Sequence, residues 1–132
     1  NEAVEKMRQS DGLIVGSPVH YASAGVAITS FLDSFFYSGS SAAAHKPGAA
    51  VASARRAGTT ATLDQLNKYF MITQMPVVSS QYWNMVHGQC PEDVKKDEEC
   101  MQIMRVLGRN MAWMLKSIEA GKAAGVTLPE TE

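Results

Sequence analysis

Cysteine is scarce in this chain: two in 132 residues, Cys90 and Cys100. Two thiols cannot build a disulfide framework, and an iron–sulfur cluster takes about four protein ligands. Long apolar runs are missing as well. None approaches the roughly 20 residues that cross a bilayer as a helix. Neither sign of charge dominates: twelve Lys and Arg stand against thirteen Asp and Glu, a formal net charge of −1. That balance gives no electrostatic reason to expect nucleic acid or an anionic membrane as a partner. Repeats, low-complexity segments and long linkers are absent. Hydrophobic residues make up 45% of the chain and charged ones 19%, which excludes wholesale disorder and a coiled coil. The opening NEAVEKMRQS is polar and carries no signal-peptide pattern. With eight Met against two Cys, the expected compartment is a reducing cytoplasm.

What is present reads as one domain over residues 1–132. Short apolar runs alternate with helical patterns. Residues 2–9 form the tail of a helix with Val4 and Met7 on one face. Residues 13–16, LIVG, fit a strand covered on both faces, which Ser17-Pro18 should stop. A helix over 25–37 carries Ile28, Phe31, Leu32 and Phe35 at i, i+3, i+4, i+7. Residues 49–53, AAVAS, read as the next strand, and a helix from Thr59 or Thr60 to Met75-Pro76 follows. Residues 77–82 read as a third strand. The last and longest helix starts near Glu92 or Asp97, with Met104, Leu107, Met111, Leu115 and Ile118 as its stripe.

Strand–helix alternation of this kind means parallel strands with right-handed crossovers and helices on both faces, a three-layer α/β architecture. The chain opens on a helix where such folds open on a strand. The expectation is therefore that a leading βαβ portion of roughly 60 residues lies outside it, leaving one sheet edge bare.

Ligands of open α/β sheets bind beyond the carboxyl ends of the strands. Two loops leave such ends. Ser17, Pro18, Val19, His20, Tyr21 and Ala22 combine a rigid proline, an aromatic and small residues, which suits a flat heteroaromatic ligand. Ser53, Ala54, Arg55, Arg56, Gly58 and Thr59 combine a close-approach glycine, two cations and hydroxyls at a helix start, which suits an anionic one. Each loop also reads as an ordinary βα turn.

The stretches GSPVHYAS, SFLDSFFYSG, KPGAAVASARRAGTT and VVSSQYWNMVHG resemble the NADPH-dependent FMN reductase family of flavodoxin-like flavoproteins. The resemblance implies a five-stranded parallel sheet of order 2-1-3-4-5, of which this chain holds the third, fourth and fifth strands. It implies FMN as cofactor and NADPH or NADH as co-substrate. Pro18, Val19, His20, Tyr21 and Ala22 then match the loop that cradles the isoalloxazine ring, with Ser17 just before it. Ser53, Ala54, Arg55, Arg56, Gly58 and Thr59 match the second flavin loop. The family's phosphate-binding loop has no counterpart in these residues. A small-molecule electron acceptor and a homodimer or homotetramer are also implied. The rival readings are a flavodoxin-type electron carrier without NADPH oxidation and a non-catalytic α/β interaction module.

The remaining chemistry-bearing residues have plainer readings. His20 is a ring contact rather than an acid–base group. His45 and His87 have no second ligand at metal spacing, so no zinc site is expected. Cys90 and Cys100 read as idle thiols, with a redox pair as the alternative. Of Arg55 and Arg56, adjacent in a loop, one should meet ligand and the other solvent. Tyr82 and Trp83 should follow the third strand and wall the ligand site or a subunit contact. Trp113 should pack in a core or interface. The aromatic cluster Phe31, Phe35, Phe36 and Tyr37 is core first and a dimer seam second. Asp33 has no carboxylate partner and is assigned no chemistry.

Overall fold

The computed structural model describes residues 1–132. Helix α1 (Glu2–Arg8) is capped by the Asn1 side chain, which accepts from the Ala3 N–H, and it buries Val4 and Met7. Strand β1 (Leu13–His20) turns back into the short β2 (Ser23–Ala24). Helix α2 (Val26–Ala43), strand β3 (Gly48–Ala54) and helix α3 (Thr59–Ile72) follow. Strand β4 (Met85–His87), the short α4 (Pro91–Lys96) and the long α5 (Glu98–Ala123) complete the order.

The sheet runs β2-β1-β3-β4. β1 and β3 are parallel, from Leu13 opposite Gly48 to Pro18 opposite Ser53. β4 joins β3 in parallel from Ala52–Met85 to Ala54–His87. Small residues make β3 a thin central strand that helices approach closely. Its Ala50 and Ala52 face the main core with Leu32, Phe35 and Phe36 of α2 and Leu63, Leu66 and Phe70 of α3. The alternate residues Ala49 and Val51 face Leu107 and Met111 of α5, with Val78 beside them. Period-2 alternation on one strand thus divides the helices between two faces, as expected of three layers. No helix is long and apolar enough to cross a membrane.

Five local expectations are corrected. β1 does not stop at Ser17-Pro18 but runs through them to His20. Its outer edge has no partner strand from Leu13 to Pro18, and an edge tolerates proline where a central ladder does not. That open side also leaves Ile14 55% exposed, so β1 is covered on one face only. The third strand is not at 77–82. Val77 makes a lone bridge to Gly48, the chain leaves the sheet, and β4 rejoins at Met85. Polar side chains replace the ladder in between: Ser80 Oγ donates to the Ile103 carbonyl, and Asn84 Nδ2 to the Ala50 carbonyl. The second helix continues past Tyr37 to Ala43 across a kink at Gly39. Trp113 is 68% exposed, on the outer side of α5, and not in a core.

Asp33, given no chemistry above, accepts a hydrogen bond from the Tyr69 hydroxyl and so links α2 to α3. Burial first, then this carboxylate, pushes the Tyr69 phenol up from 10.0 to about 12. The fold therefore holds the proton that the unfolded chain releases first. This contribution is complete below pH 10 and disappears as pH rises to about 12. Wild type should lose stability across that window more steeply than Tyr69→Phe; urea midpoints measured on both proteins check it.

Candidate functional site

The three parallel strands end on one side of the domain, at His20, Ala54 and His87. Between β1 and β2 only Tyr21 and Ala22 make the turn, because Val19 already pairs with Ala24 and His20 with Ser23. Both turn residues are left-handed, with φ of 53° and 57°. Two-residue turns of this hand match strand twist but favour Asn-Gly over residues with larger side chains. Each such residue costs about 1–3 kcal/mol and persists only where its surroundings hold it.

Two side chains hold it here. Gln65 Oε1 on α3 accepts from the Ser23 hydroxyl and from the Ala24 N–H, both at 2.8 Å. The buried Ser17 hydroxyl accepts from the Gly25 N–H at 2.9 Å and donates to the Pro18 carbonyl at 2.8 Å. Gln65→Leu leaves the Ala24 N–H without its acceptor, a loss of about 1–3 kcal/mol. Hydrogen exchange should show the loosening at residues 20–24, with the α3–β3 core still protected.

Gly58 brings the second loop against the first. It sits at φ 93°, and a Cβ there would stand 2.8 Å from both Ala22 Cα and Val19 Cγ1. Only glycine allows that approach. Beside this contact, and sharing Val19 with it, Pro18, Val19, Ser53, Ala54 and Arg55 line an open cleft of about 470 Å³ with Gly88 and Gln89 on its third side. That volume falls within the roughly 300–1,000 Å³ of small-molecule sites. The N–H groups of Arg55, Arg56, Ala57 and Gly58 donate to no protein acceptor. They stand just ahead of the α3 N-terminus, whose dipole favours negative charge.

The twelve expected site residues therefore divide. Pro18, Val19, Ser53, Ala54 and Arg55 line one cleft, and Ala22 and Gly58 form the contact beside it, through Val19. Ser17 and Thr59 are buried and bonded inward, Thr59 Oγ1 to the Met85 sulfur at 3.0 Å. His20 lies with Gly25 and Val26 in a second hollow that shares only Pro18 with the cleft. Tyr21 projects into solvent, and Arg56 is exposed outside the cleft lining.

Gly88, Gln89 and Gln65 were not anticipated. The first two were hidden by the misplaced third strand. Tyr82 and Trp83, expected at this end, precede β4 and lie beside the middle of β3, packed on each other at 4.9 Å. The signal for the true strand was the short MVH run bounded by Asn84 and Gly88. Gln65 was legible only as a polar residue next to the buried stripe of α3.

Beside His87 at the end of β4, Asp97 caps α5. A hydrogen bond from the Cys100 thiol holds its carboxyl below the usual range. Burial, then that carboxylate, pushes the Cys100 thiol up to about 12.

A three-layer domain with a cleft at the carboxyl ends of parallel strands is a flavodoxin-like fold, and solved structures agree. The chain superposes on a flavodoxin from the domain Archaea with a TM-score of 0.59 and 16% identity, covering 86% of this chain and 71% of that one. It superposes on a flavodoxin, WrbA-like protein from Agrobacterium tumefaciens at 0.63 and 15% identity, covering 83% and 72%. For the Trp repressor binding protein from Bacillus subtilis the values are 0.61 and 16%, covering 83% and 67%. In sequence, the NADPH-dependent FMN reductase family profile matches residues 1–89. An iron–sulfur flavoprotein of Methanocaldococcus jannaschii is 30% identical over 127 residues, 90% of this chain and 66% of the relative. The chain thus spans just under two thirds of that relative's length. It belongs to the NADPH-dependent FMN reductase family. An iron–sulfur group does not fit these residues: Cys90 is exposed at the start of α4, Cys100 is buried in α5, and a cluster takes about four ligands.

Proposed function

We propose that the chain is the FMN-holding part of an oxidoreductase that takes hydride from NADPH or NADH and passes electrons to a small-molecule acceptor such as a flavin or quinone. The observation that carries this reading is the Gly58 contact. It joins the two loops that resemble the family's flavin loops into one cleft. A Cβ would fill that junction, so the loops are built for close approach.

Bound FMN would supply the redox chemistry, as hydride acceptor and electron donor. The protein's own residues have the tasks of holding, orienting and charging. Pro18 and Val19 offer a rigid, largely apolar wall on one side, with Ser53 and Ala54 at the floor. The unbonded N–H groups of residues 55–58 offer donors to an electron-rich ring edge or an anion. Arg55 brings a permanent positive charge to the rim. No side chain is needed as a nucleophile. His20, exposed and outside the cleft lining, has no proton-transfer role in this reading. Self-association as a dimer or tetramer belongs to the same proposal, and sedimentation of the purified chain tests it.

Arg55→Ala should weaken FMN binding by about tenfold, the worth of one charge-assisted contact, while Arg56→Ala stays within about twofold. Fluorescence titration of FMN into each variant checks this. The reaction is tested by mixing the FMN-loaded chain with NADPH or NADH without oxygen. The expected result is loss of oxidised-flavin absorbance faster than with free FMN. A loaded protein that NAD(P)H does not bleach would overturn the hydride step, and a chain that takes up no flavin would overturn the whole reading.

A further inference from the structure

The carboxyl end of β4 carries side chains that the flavin reading does not use. His87 closes β4, Asp97 caps α5, and Cys100 lies in the first turn of α5. One ligand-type atom from each, an imidazole nitrogen, a carboxylate oxygen and a thiol sulfur, lies within 4.8 Å of the other two. His87 Nδ1 is 3.6 Å from Asp97 Oδ2 and 3.9 Å from Cys100 Sγ. In a tetrahedral zinc site with bonds of 2.0–2.3 Å, neighbouring ligand atoms stand roughly 3.3–3.8 Å apart. The two spacings from His87 match that to within a few tenths of an ångström, and the Asp97 oxygen and Cys100 sulfur lie within 4.8 Å of each other.

The arrangement is built by the backbone. Asp97 Oδ1 accepts the Cys100 N–H at 3.2 Å while its Oδ2 accepts the His87 N–H at 3.2 Å. One carboxylate therefore fixes the chain at both other ligands. Cys100 is 6% exposed at the inner end, and the His87 and Asp97 side chains are 33% and 22% exposed toward solvent. An ion has a protected inner ligand and an open approach.

A Cys–His–Asp nucleophile is the competing use of these residues, and the ring atoms decide against it. A triad histidine is oriented through one nitrogen and acts through the other. Here Asp97 and Cys100 both meet Nδ1. Magnesium and calcium take all-oxygen sites, whereas a mixed N, O and S set suits a borderline-soft divalent ion.

We infer that His87, Asp97 and Cys100 form a three-ligand site for a zinc-class divalent cation, with the fourth position open to solvent. Binding forms the metal–sulfur bond and releases the thiol proton to water, with no change of oxidation state. The ion ties β4 to α5 directly behind Gly88 and Gln89, the third wall of the cleft. Sequence spacing hid the site, because the ligands come singly and not as the close pairs of familiar zinc motifs.

The test uses the whole chain without flavin, so it stands apart from the redox reading. Cobalt(II) should produce a thiolate-to-metal charge-transfer band with the strong visible absorption of tetrahedral geometry, and zinc should displace it at one ion per chain. Cys100→Ser should remove the band. His87→Gln and Asp97→Asn should weaken zinc binding roughly tenfold or more. Asp97→Asn keeps the α5 cap but loses the acceptor for the His87 N–H, so it should melt lower than wild type, whereas His87→Gln leaves both backbone bonds in place and should melt near it. Cys90→Ser should change nothing. No charge-transfer band in wild type, or a band that survives Cys100→Ser and is lost in Cys90→Ser, would overturn the site.

Discussion

Gly58→Val is expected to lower FMN affinity by roughly a hundredfold or more, with the sheet and helices retained. At φ 93° a side-chain-bearing residue costs about 1–2 kcal/mol. The added atoms also meet backbone: a Cβ would lie 2.8 Å from Ala22 Cα. Backbone cannot rotate aside as a side chain does, so the hairpin or the β3–α3 loop must move. Overpacking of this kind costs about 1–3 kcal/mol more. Each 1.4 kcal/mol, approximately, is tenfold in binding. FMN titration with far-UV circular dichroism on the same samples separates loss of site from loss of fold. Unchanged affinity would remove the loop junction from the flavin site.

Phe70→Ala should cost about 3–5 kcal/mol of stability and lower the melting temperature by on the order of 10 °C or more. Phe70 is 1% exposed, meets Phe36 edge-on at 6.4 Å, and lies against Gly48, where a Cβ would stand 2.8 Å from its ring. Gly48 opens β3, and the opposite end of β3 supplies Ser53 and Ala54 to the cleft. The ring therefore anchors the central strand on α3 from below while Gly58 joins the loops above. Thermal melts of wild type and variant check the cost; a shift of only a degree or two would mean that the core closes around the gap.

The strand–helix alternation, the three layers and the adjacency of the two loops were legible because they rest on local period and on residues that permit little else. AAVAS, five small, mainly apolar residues between two loops, is short for a helix and reads as a thin strand, and Gly58 after two arginines marks a turn that something approaches closely. The third strand was not legible. Its β-branched run at Val77-Val78 makes one bridge, and the ladder then yields to side-chain bonds from Ser80 and Asn84 that no spacing announces. The same error carried Tyr82 and Trp83 to the wrong end of the sheet and concealed Gly88 and Gln89. Gln65 and the His87, Asp97 and Cys100 group share a different cause. Their partners lie on other elements, so only the packed chain brings them together.

Amide chemical shifts of the isotopically labelled chain during an FMN titration test the location of the flavin most directly. The expected result is a set of perturbations confined to residues 18–22, 53–59 and 87–89, saturating at one flavin per chain. Shifts gathered instead on the open β1 edge around Ile14 and Phe31, or along the exposed Trp113 side of α5, would contradict it.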